Sequence, residues 1–204
     1  MKINQFVISA LLVLFFSCQK EESSYTEVSG VIYEQGTNNT KTVANALVEF
    51  QWRIPSTYGA ETFFLDSVRT DENGRFRLSA DAPSENLYVF ASANRYFSGG
   101  ELTMRSNVKR GKKQNLDVQI TPFSWVKINV QKKQGNKFIR INPLPGGGIV
   151  SFFSSRDTSF FSRAYGNRRI RINCFRYENP DFYRPEEYFV NTIGQDTVDL
   201  TIEF

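Results

Sequence analysis

Clustered carboxylates are the first residues of this chain whose types and spacing could support chemistry. Asp66, Asp71, Glu72 and Asp81 lie near one another in the sequence. A calcium site needs several oxygen ligands at one point, and no Asp-x-Asp-x-Asp run supplies them here. We therefore interpret these carboxylates as turn caps and solvated surface groups, and we predict no metal site.

A second group of carboxylates lies closer to the C-terminus. Asp181 could face Glu186 or Glu187, and glycoside hydrolysis requires two facing carboxylates. Residues 179–187 are predicted to be a loop because prolines interrupt the segment. A carboxylate-based hydrolase that assembles only in the folded chain stays open as an alternative.

The other catalytic patterns are weaker. Gly146-Gly147-Gly148 is followed by no predicted helix, which a phosphate-binding loop would need, so we predict a turn between strands. Cys174 lies on the apolar face of an alternating segment, as expected for a small buried hydrophobic residue. Histidine is absent from the chain, which excludes Ser-His and Cys-His catalytic pairs and histidine metal ligands. We expect a protein that is not an enzyme and uses no cofactor.

Aromatic and arginine residues crowd the second half of the chain and are its best indication of function. Exposed aromatic rings next to arginine are typical of binding surfaces. We predict a binding surface for a partner protein or a glycan at five residues assigned to loops: Phe160, Phe161, Tyr165, Phe182 and Tyr183. The same mixture suits single-stranded nucleic acid, but 25 basic against 21 acidic residues is too even a balance for that partner.

The N-terminus carries another reactive group, the thiol of Cys18. It follows an uncharged apolar run, residues 6–16, which is shorter than the about 20 residues needed to cross a bilayer. The stretch from Leu14 to Cys18 resembles a bacterial lipoprotein signal of the Bacteroidetes type. This resemblance implies that residues 1–17 are a signal peptide and that a diacylglyceryl group on Cys18 anchors the chain in a membrane.

The residues after the cysteine point to a location. Gln19-Lys20-Glu21-Glu22 resembles the short signal that sends such lipoproteins to the outer cell surface. We predict an outer-membrane protein that faces the cell exterior, with residues 18–27 as a flexible tether.

Two triplets resemble the acceptor motif for O-glycosylation in lipoproteins of this kind. They are Asp66-Ser67-Val68 and Asp196-Thr197-Val198. Both lie in predicted strands, and the sequence leaves their modification open.

The elements that must position these residues are strands. Phe, Tyr and β-branched residues are frequent, and no segment shows helical periodicity. Residues 28–121 contain about seven short alternating segments, a spacing typical of a β-sandwich. In one of them Phe76 and Leu78 are predicted to point inward, because the arginines beside them point to water.

Three stretches of this half resemble the carboxypeptidase regulatory-like domain: Val28-Ser-Gly-Val-Ile-Tyr, Val43-Ala-Asn-Ala-Leu-Val-Glu-Phe and Thr70-Asp-Glu-Asn-Gly-Arg-Phe. The resemblance implies a transthyretin-like (prealbumin-like) β-sandwich with no catalytic residues and an accessory or structural role. Gly30 is expected to let another backbone come close, and Asp71 and Gly74 are expected to form a turn.

Residues 122–204 do not continue that pattern, but they also alternate. The inward positions are predicted to be Val126, Ile128, Val130, Ile170, Ile172, Cys174, Val198, Leu200 and Ile202. We therefore predict a second all-β domain, so that the fold class is all-β with two β-sandwich-like domains.

The sequence as a whole favours a lipid-anchored cell-surface protein with a non-enzymatic accessory or binding role. A purely structural envelope spacer is the main alternative. An exposed aromatic patch in the folded protein would favour binding, a uniformly polar surface would favour the spacer, and two converging carboxyl groups would favour the hydrolase.

Overall fold

The chain forms β-structure throughout the part that the computed structural model describes. That part comprises residues 24–57, 59–97, 106–133, 138–147, 151–179 and 182–204. Within these ranges there are strands, bridges, turns and bends but no helix. Buried apolar side chains form two separate clusters, one in each half of the chain. The fold is therefore all-β, as predicted, and each cluster lies between two sheets.

The first half builds a sandwich of short strands. They are β1 (Tyr25–Glu34), β2 (Leu47–Ser56), β3 (Gly59–Arg69), β4 (Arg75–Asp81), β5 (Leu87–Ser92), β6 (Ser106–Val108), β7 (Lys113–Asn115) and β8 (Val118–Ile120). One sheet has the order β4-β1-β7, with β8 also paired to β1, and the other has the order β3-β2-β5-β6. Phe76 and Leu78 are buried in the core between the two sheets, as the alternation predicted.

Strand β1 begins at Tyr25, three residues earlier than predicted, and so takes in the end of the predicted tether. Tyr25 lies opposite Asp81 of β4, which continues the ladder beyond the expected start. Glu27 points outward and forms ion pairs with Arg77 at 2.9 Å and Lys113 at 3.4 Å. These ion pairs lower the pKa of Glu27, first through Arg77. Glu27 can therefore lie within the strand, because Arg77 and Lys113 compensate its negative charge.

Two turn and packing predictions for this sandwich are confirmed. A Cβ atom on Gly30 would lie 1.8 Å from the Leu116 carbonyl oxygen, so only glycine fits beside that backbone. Asp71 accepts hydrogen bonds from the backbone N–H groups of Asn73 and Arg75 at 2.9 and 2.8 Å. Gly74 has a φ of 73°, as the turn requires.

The second half builds another sandwich. Its strands are β9 (Phe123–Gln131), β10 (Phe138–Ile141), β11 (Phe152–Ser154), β12 (Thr158–Tyr165), β13 (Arg169–Asn179), β14 (Phe182–Asn191) and β15 (Thr197–Glu203). One sheet has the order β11-β10-β13-β14 and the other has the order β12-β9-β15. The predicted inward residues all belong to this core or pack against it, with Val198 and Leu200 half-buried.

Two segments assigned to loops are strands, and these predictions were wrong. Strand β14 takes up most of the segment 179–187 and pairs with β13. It tolerates Pro185 because it is an edge strand, where a missing N–H group need not break a ladder on both sides. Strand β12 pairs with β9 along its whole length. Its alternation was hidden by the adjacent rings of Phe160 and Phe161, which point in opposite directions.

A buried carboxylate joins the two sandwiches. Glu34, at the end of β1, is 1% exposed and accepts hydrogen bonds from Tyr96 at 2.6 Å and from Asn167 of the second half at 2.8 Å. Lys41 pairs with it at 2.8 Å. Burial opposes ionisation, but these donors outweigh it and lower the pKa of Glu34. The Asn167 side chain also accepts from the Gly194 N–H at 2.7 Å, so the contact holds two loops of the second sandwich against the first.

Candidate functional site

The five residues predicted as a binding surface lie in three different environments of the second sandwich. Phe161 is 61% exposed, whereas Phe160 turns inward and stacks on Phe152 with ring centroids 3.8 Å apart. Tyr165 is half-buried near the junction of the sandwiches. Phe182 and Tyr183 are exposed on β14, in the other sheet. The five side chains therefore do not form one continuous surface.

A continuous aromatic surface does exist on the outer face of the β11-β10-β13-β14 sheet. We call it the aromatic sheet face, and it comprises Phe138, Arg140, Phe153, Phe175, Tyr177 and Tyr183. It arises because the alternating residues between them, such as Ile139, Ile172 and Cys174, fill the core. Period-two geometry then turns the aromatic residues to the outside.

Ring contacts connect five of the six members of the aromatic sheet face across three strands. Phe138 and Tyr177 stack with centroids 4.2 Å apart and an interplanar angle of 12°. Tyr183 lies 5.6 Å from Tyr177 and meets Phe175 edge-on at 5.3 Å. The Arg140 guanidinium lies 5.2 Å from the centre of the Phe175 ring. These packed neighbours hold one another in place, so the surface is formed before any partner arrives.

Charged residues border the aromatic sheet face. Arg171 pairs with Glu187 at 3.3 Å on this side of the sheet. An apolar, aromatic centre with a charged rim is the usual arrangement of a protein interface. Of the five predicted residues, only Tyr183 belongs to this face.

A second exposed feature lies at the edge strand β12 of the opposite sheet, β12-β9-β15. We call it the Trp125 cleft; it has a volume of about 430 Å³ and its walls include Trp125, Phe161 and Arg163. Trp125 and Phe161 are 40% and 61% exposed. Trp125 was not among the predicted residues, although its position could have been inferred, because the inward residues of β9 begin at its neighbour Val126.

The carboxylates proposed for a hydrolase are occupied by structural contacts where they are described. Glu186 pairs with Arg176 at 2.7 Å and accepts from the Tyr188 hydroxyl at 2.9 Å. Glu187 pairs with Arg171, and Asp181 lies outside the described residues. The described ranges contain no group of three or more acidic, histidine or cysteine residues placed to hold a metal ion.

The early carboxylates also serve the local backbone. Asp66 accepts from the N–H groups of Ser67 at 2.8 Å and Ser79 at 3.3 Å. Asp81 accepts from the Ser24 hydroxyl at 3.0 Å. With Asp71 capping its turn, these contacts agree with the interpretation of caps and surface groups.

Cys174 and the glycine-rich stretch have structural surroundings. Cys174 is fully buried, and desolvation raises the pKa of its thiol to about 12, so it is not a reactive thiolate at neutral pH. Gly147 donates to the Leu144 carbonyl at 2.7 Å in a turn, and Gly146 has a φ of 85°. Gly148 lies outside the described residues.

Three sequence predictions concern modification and anchoring. The hydroxyl-bearing residues of the two O-glycosylation triplets, Ser67 and Thr197, are both exposed. Cys18 and the signal segment 1–17 lie outside the described residues. Within the part of the chain that is described, no helix is long and apolar enough to span a membrane.

Comparison with known proteins finds similar folds but no family. No protein-family model and no curated protein matches the chain, so the carboxypeptidase regulatory-like resemblance stays a prediction. A match to the Bacillus anthracis TIE protein covers 88% of this chain and 34% of that one, at 13% identity and a TM-score of 0.36. A Streptococcal ancillary pilin matches over 88% of this chain and 62% of that one, at 11% identity and a TM-score of 0.38.

A third solved structure of similar fold is GBS52, the minor pilin of Streptococcus agalactiae. The match covers 87% of this chain and 94% of that one, at 12% identity and a TM-score of 0.38. The chain thus spans about a third of the TIE protein and under two thirds of the ancillary pilin. These similarities concern the fold alone.

Proposed function

We propose that this protein is a lipid-anchored, non-enzymatic cell-surface protein whose second sandwich binds a partner protein through the aromatic sheet face. The observation that carries the proposal is that face itself. The solvated face of a sheet normally carries polar side chains, yet here Phe138, Tyr177 and Tyr183 form one connected ring cluster. Aromatic residues and arginine contribute most of the binding energy in protein interfaces.

The shape of the surface favours a protein over a glycan as its partner. The aromatic sheet face spans four neighbouring strands of one sheet, whereas small ligands usually occupy concave sites. Its ion-paired border resembles the polar rim of an interface. A glycan on this face is the competing outcome of the binding experiment.

The partner can be sought by recovering the tagged protein from its own outer membrane in mild detergent. We expect a companion protein in stoichiometric amount, identified by mass spectrometry. The double variant Phe175→Ala, Tyr183→Ala should reduce its recovery at least about tenfold, because both rings lie inside the contact cluster. Phe64→Ala is the matched control, because Phe64 is 67% exposed but lies on β3 of the first sandwich. Equal loss with both variants, or no companion at all, would contradict the proposal.

The anchor is tested separately. Metabolic labelling with a fatty acid should mark the wild-type chain and leave a Cys18→Ala variant unmarked. Protease added to intact cells should degrade a chain that faces the exterior and spare one that faces the periplasm. Absence of label on the wild-type chain would contradict the lipid anchor and would leave the proposed binding by the aromatic sheet face unaffected.

A structural spacer is the second candidate, and the Glu34 junction favours it. A buried carboxylate shared by Tyr96, Lys41 and Asn167 holds the two sandwiches in one arrangement, which suits a rigid element. The spacer requires no aromatic contact. The spacer would therefore be favoured if no companion protein is recovered and if cells that carry the Phe175→Ala, Tyr183→Ala protein keep an intact envelope.

A further inference from the structure

The Trp125 cleft carries a second inference, which is independent of the aromatic sheet face because the two surfaces share no residue. Two aromatic residues stand at its opening, Trp125 and Phe161, and both are substantially exposed. Behind them Phe152 and Phe160 stack against each other and close the cleft towards the core. Exposed flat rings over an apolar floor offer stacking surfaces to a ligand with an apolar ring face.

Arg163 supplies a cation that is already held in position. Its guanidinium lies 4.5 Å from the centre of the Phe123 ring and 5.3 Å from that of Phe97. Its Nε–H donates to the Gly146 carbonyl oxygen at 3.3 Å. The two rings contact the guanidinium group, and within the described part of the chain only its Nε–H group donates a hydrogen bond to the backbone. The N–H groups of its two terminal nitrogens are therefore available to an acceptor in the cleft.

Among the described residues, no acidic side chain forms an ion pair with this arginine. None of the ion pairs found in the described ranges includes Arg163. The neighbouring Lys127 lies opposite Phe161 in the sheet, and its contact with Asp199 is long, at 3.9 Å, between exposed side chains. Such a pair contributes little. The cleft therefore presents uncompensated positive charge next to exposed aromatic rings.

The remaining walls suit a hydroxyl-rich ligand. Ser151, Ser162 and the backbone at Gly147 line the cleft beside the rings. Its volume of about 430 Å³ falls within the range of about 300–1,000 Å³ that is typical of small-ligand sites.

We propose that the Trp125 cleft binds an acidic saccharide, with a uronate carboxylate on the Arg163 guanidinium and a sugar ring against the Trp125 indole. A planar guanidinium pairs with a carboxylate through two parallel hydrogen bonds. The C–H face of a sugar ring is apolar and gains by covering an exposed indole, while its hydroxyl groups reach the serines at the edge.

The test uses the full-length chain in detergent micelles and calorimetric titration with a tetramer of galacturonic acid. The matched probe is the methyl ester of the same tetramer, which keeps the rings and removes the charge. We expect the acid to bind at least about tenfold more tightly than the ester, and Trp125→Ala to weaken the acid at least about tenfold. Arg163→Gln should abolish the preference for the acid while leaving the weaker binding of the ester unchanged.

Two controls separate this site from the aromatic sheet face. Tyr183→Ala and Arg171→Gln remove an exposed ring and an exposed arginine from the other sheet, and neither should alter the titration. Urea unfolding of each variant verifies that it is folded. Arg163→Lys keeps the charge without the planar guanidinium and should recover only part of the preference.

The proposal would be overturned by the absence of measurable binding of the acid tetramer, by equal binding of acid and ester, or by undiminished binding of the acid by folded Trp125→Ala. A tetra-glutamate peptide serves as the competing ligand. Tighter binding of the peptide than of the acid tetramer would assign the cleft to an acidic protein segment and would also overturn the saccharide. None of these outcomes bears on the partner recovered through Phe175 and Tyr183.

Discussion

The two sandwiches bury their cores in the same way but present different outer faces to the surroundings. In the first, the outward residues of β4 are polar or charged, as the ion pair of Arg77 with Glu27 illustrates. In the second, β10 and β13 alternate just as regularly, yet Phe138, Phe175 and Tyr177 point outward. The first sandwich also has outward rings, such as Tyr88 and Phe90 on β5 and Phe64 on β3, but the ring contact within its described part joins only Trp52 and Phe63.

This difference shows that stability constrains the inward residues of the strands but leaves the type of the outward residues free. Burial of the inward residues stabilises both sandwiches, and nothing in that requirement demands aromatic residues outside. The aromatic sheet face departs from the polar pattern, and it is the part of the molecule where we propose that binding occurs. Substitutions in a core, at the junction and on an outer face should therefore have effects of decreasing size on stability.

The largest effect is expected from Phe50→Ala in the core of the first sandwich. Phe50 is fully buried, and such a truncation costs about 3–5 kcal/mol. Because the Glu34 junction links the sandwiches, we expect both to unfold in one urea transition at a lower midpoint. The chain has two tryptophans, one in each sandwich. In a Trp125→Phe background the fluorescence of Trp52 reports on the first sandwich, and in a Trp52→Phe background that of Trp125 reports on the second. An unchanged midpoint for the Trp125 reporter would show that the sandwiches are independent.

A smaller effect is expected from Glu34→Gln at the junction. The substitution keeps the shape but removes the charge that Lys41 and Tyr96 contact, and hydrogen bonds to charged groups contribute about 1.5–3 kcal/mol. Urea denaturation should show that loss of stability. The unfolding midpoints reported by Trp52 and by Trp125 should also lie further apart than in the wild type. Glu187→Gln is the matched control and should change stability far less, because its ion pair is exposed.

The junction also predicts a pH dependence. The pKa of Glu34 is lowered from its ordinary value of 4.5, so its stabilising contribution is fully present above about pH 4.5 and is lost as the pH falls through the folded-state pKa. The difference in unfolding midpoint between wild type and Glu34→Gln should therefore be constant near neutrality and shrink in acid. A difference that grows in acid would contradict the ionised state of Glu34.

The smallest effect on stability is expected from Tyr183→Ala on the aromatic sheet face. Loss of its contacts with Phe175 and Tyr177 should cost about 0.5–1.5 kcal/mol. The same variant should nevertheless impair recovery of the partner protein. A loss of stability as large as that of Phe50→Ala, measured by urea denaturation, would mean that the outer rings are structural and would remove the contrast between the two sandwiches.

Strand interiors could be predicted from the sequence because alternation is a local property. Phe76 and Leu78 point inward as expected, and so do Val126 and Ile128. The errors concern edge strands. β12 was missed because two adjacent phenylalanines obscure its period, and β14 because Pro185 suggested a loop.

The residue types of the candidate site could be predicted from the sequence, but its position in the fold could not. An aromatic and arginine surface was expected in the second half, yet only Tyr183 of the predicted residues belongs to the aromatic sheet face. The outward position of Phe175 was implied by the inward position of Cys174, although nothing local indicated that Tyr183 would meet it. That contact depends on the register between β13 and β14.

The sequence by itself determined the inward residues of most strands, the absence of histidine chemistry and the lipoprotein-like start. These features depend on residue types and on a period of two, which act over a few neighbouring positions. Only the tertiary structure decided which outward rings become neighbours. Phe138, Tyr177 and Tyr183 come together because β10, β13 and β14 pair in that order, and sheet order follows from the combined packing of all the strands and not from any one of them.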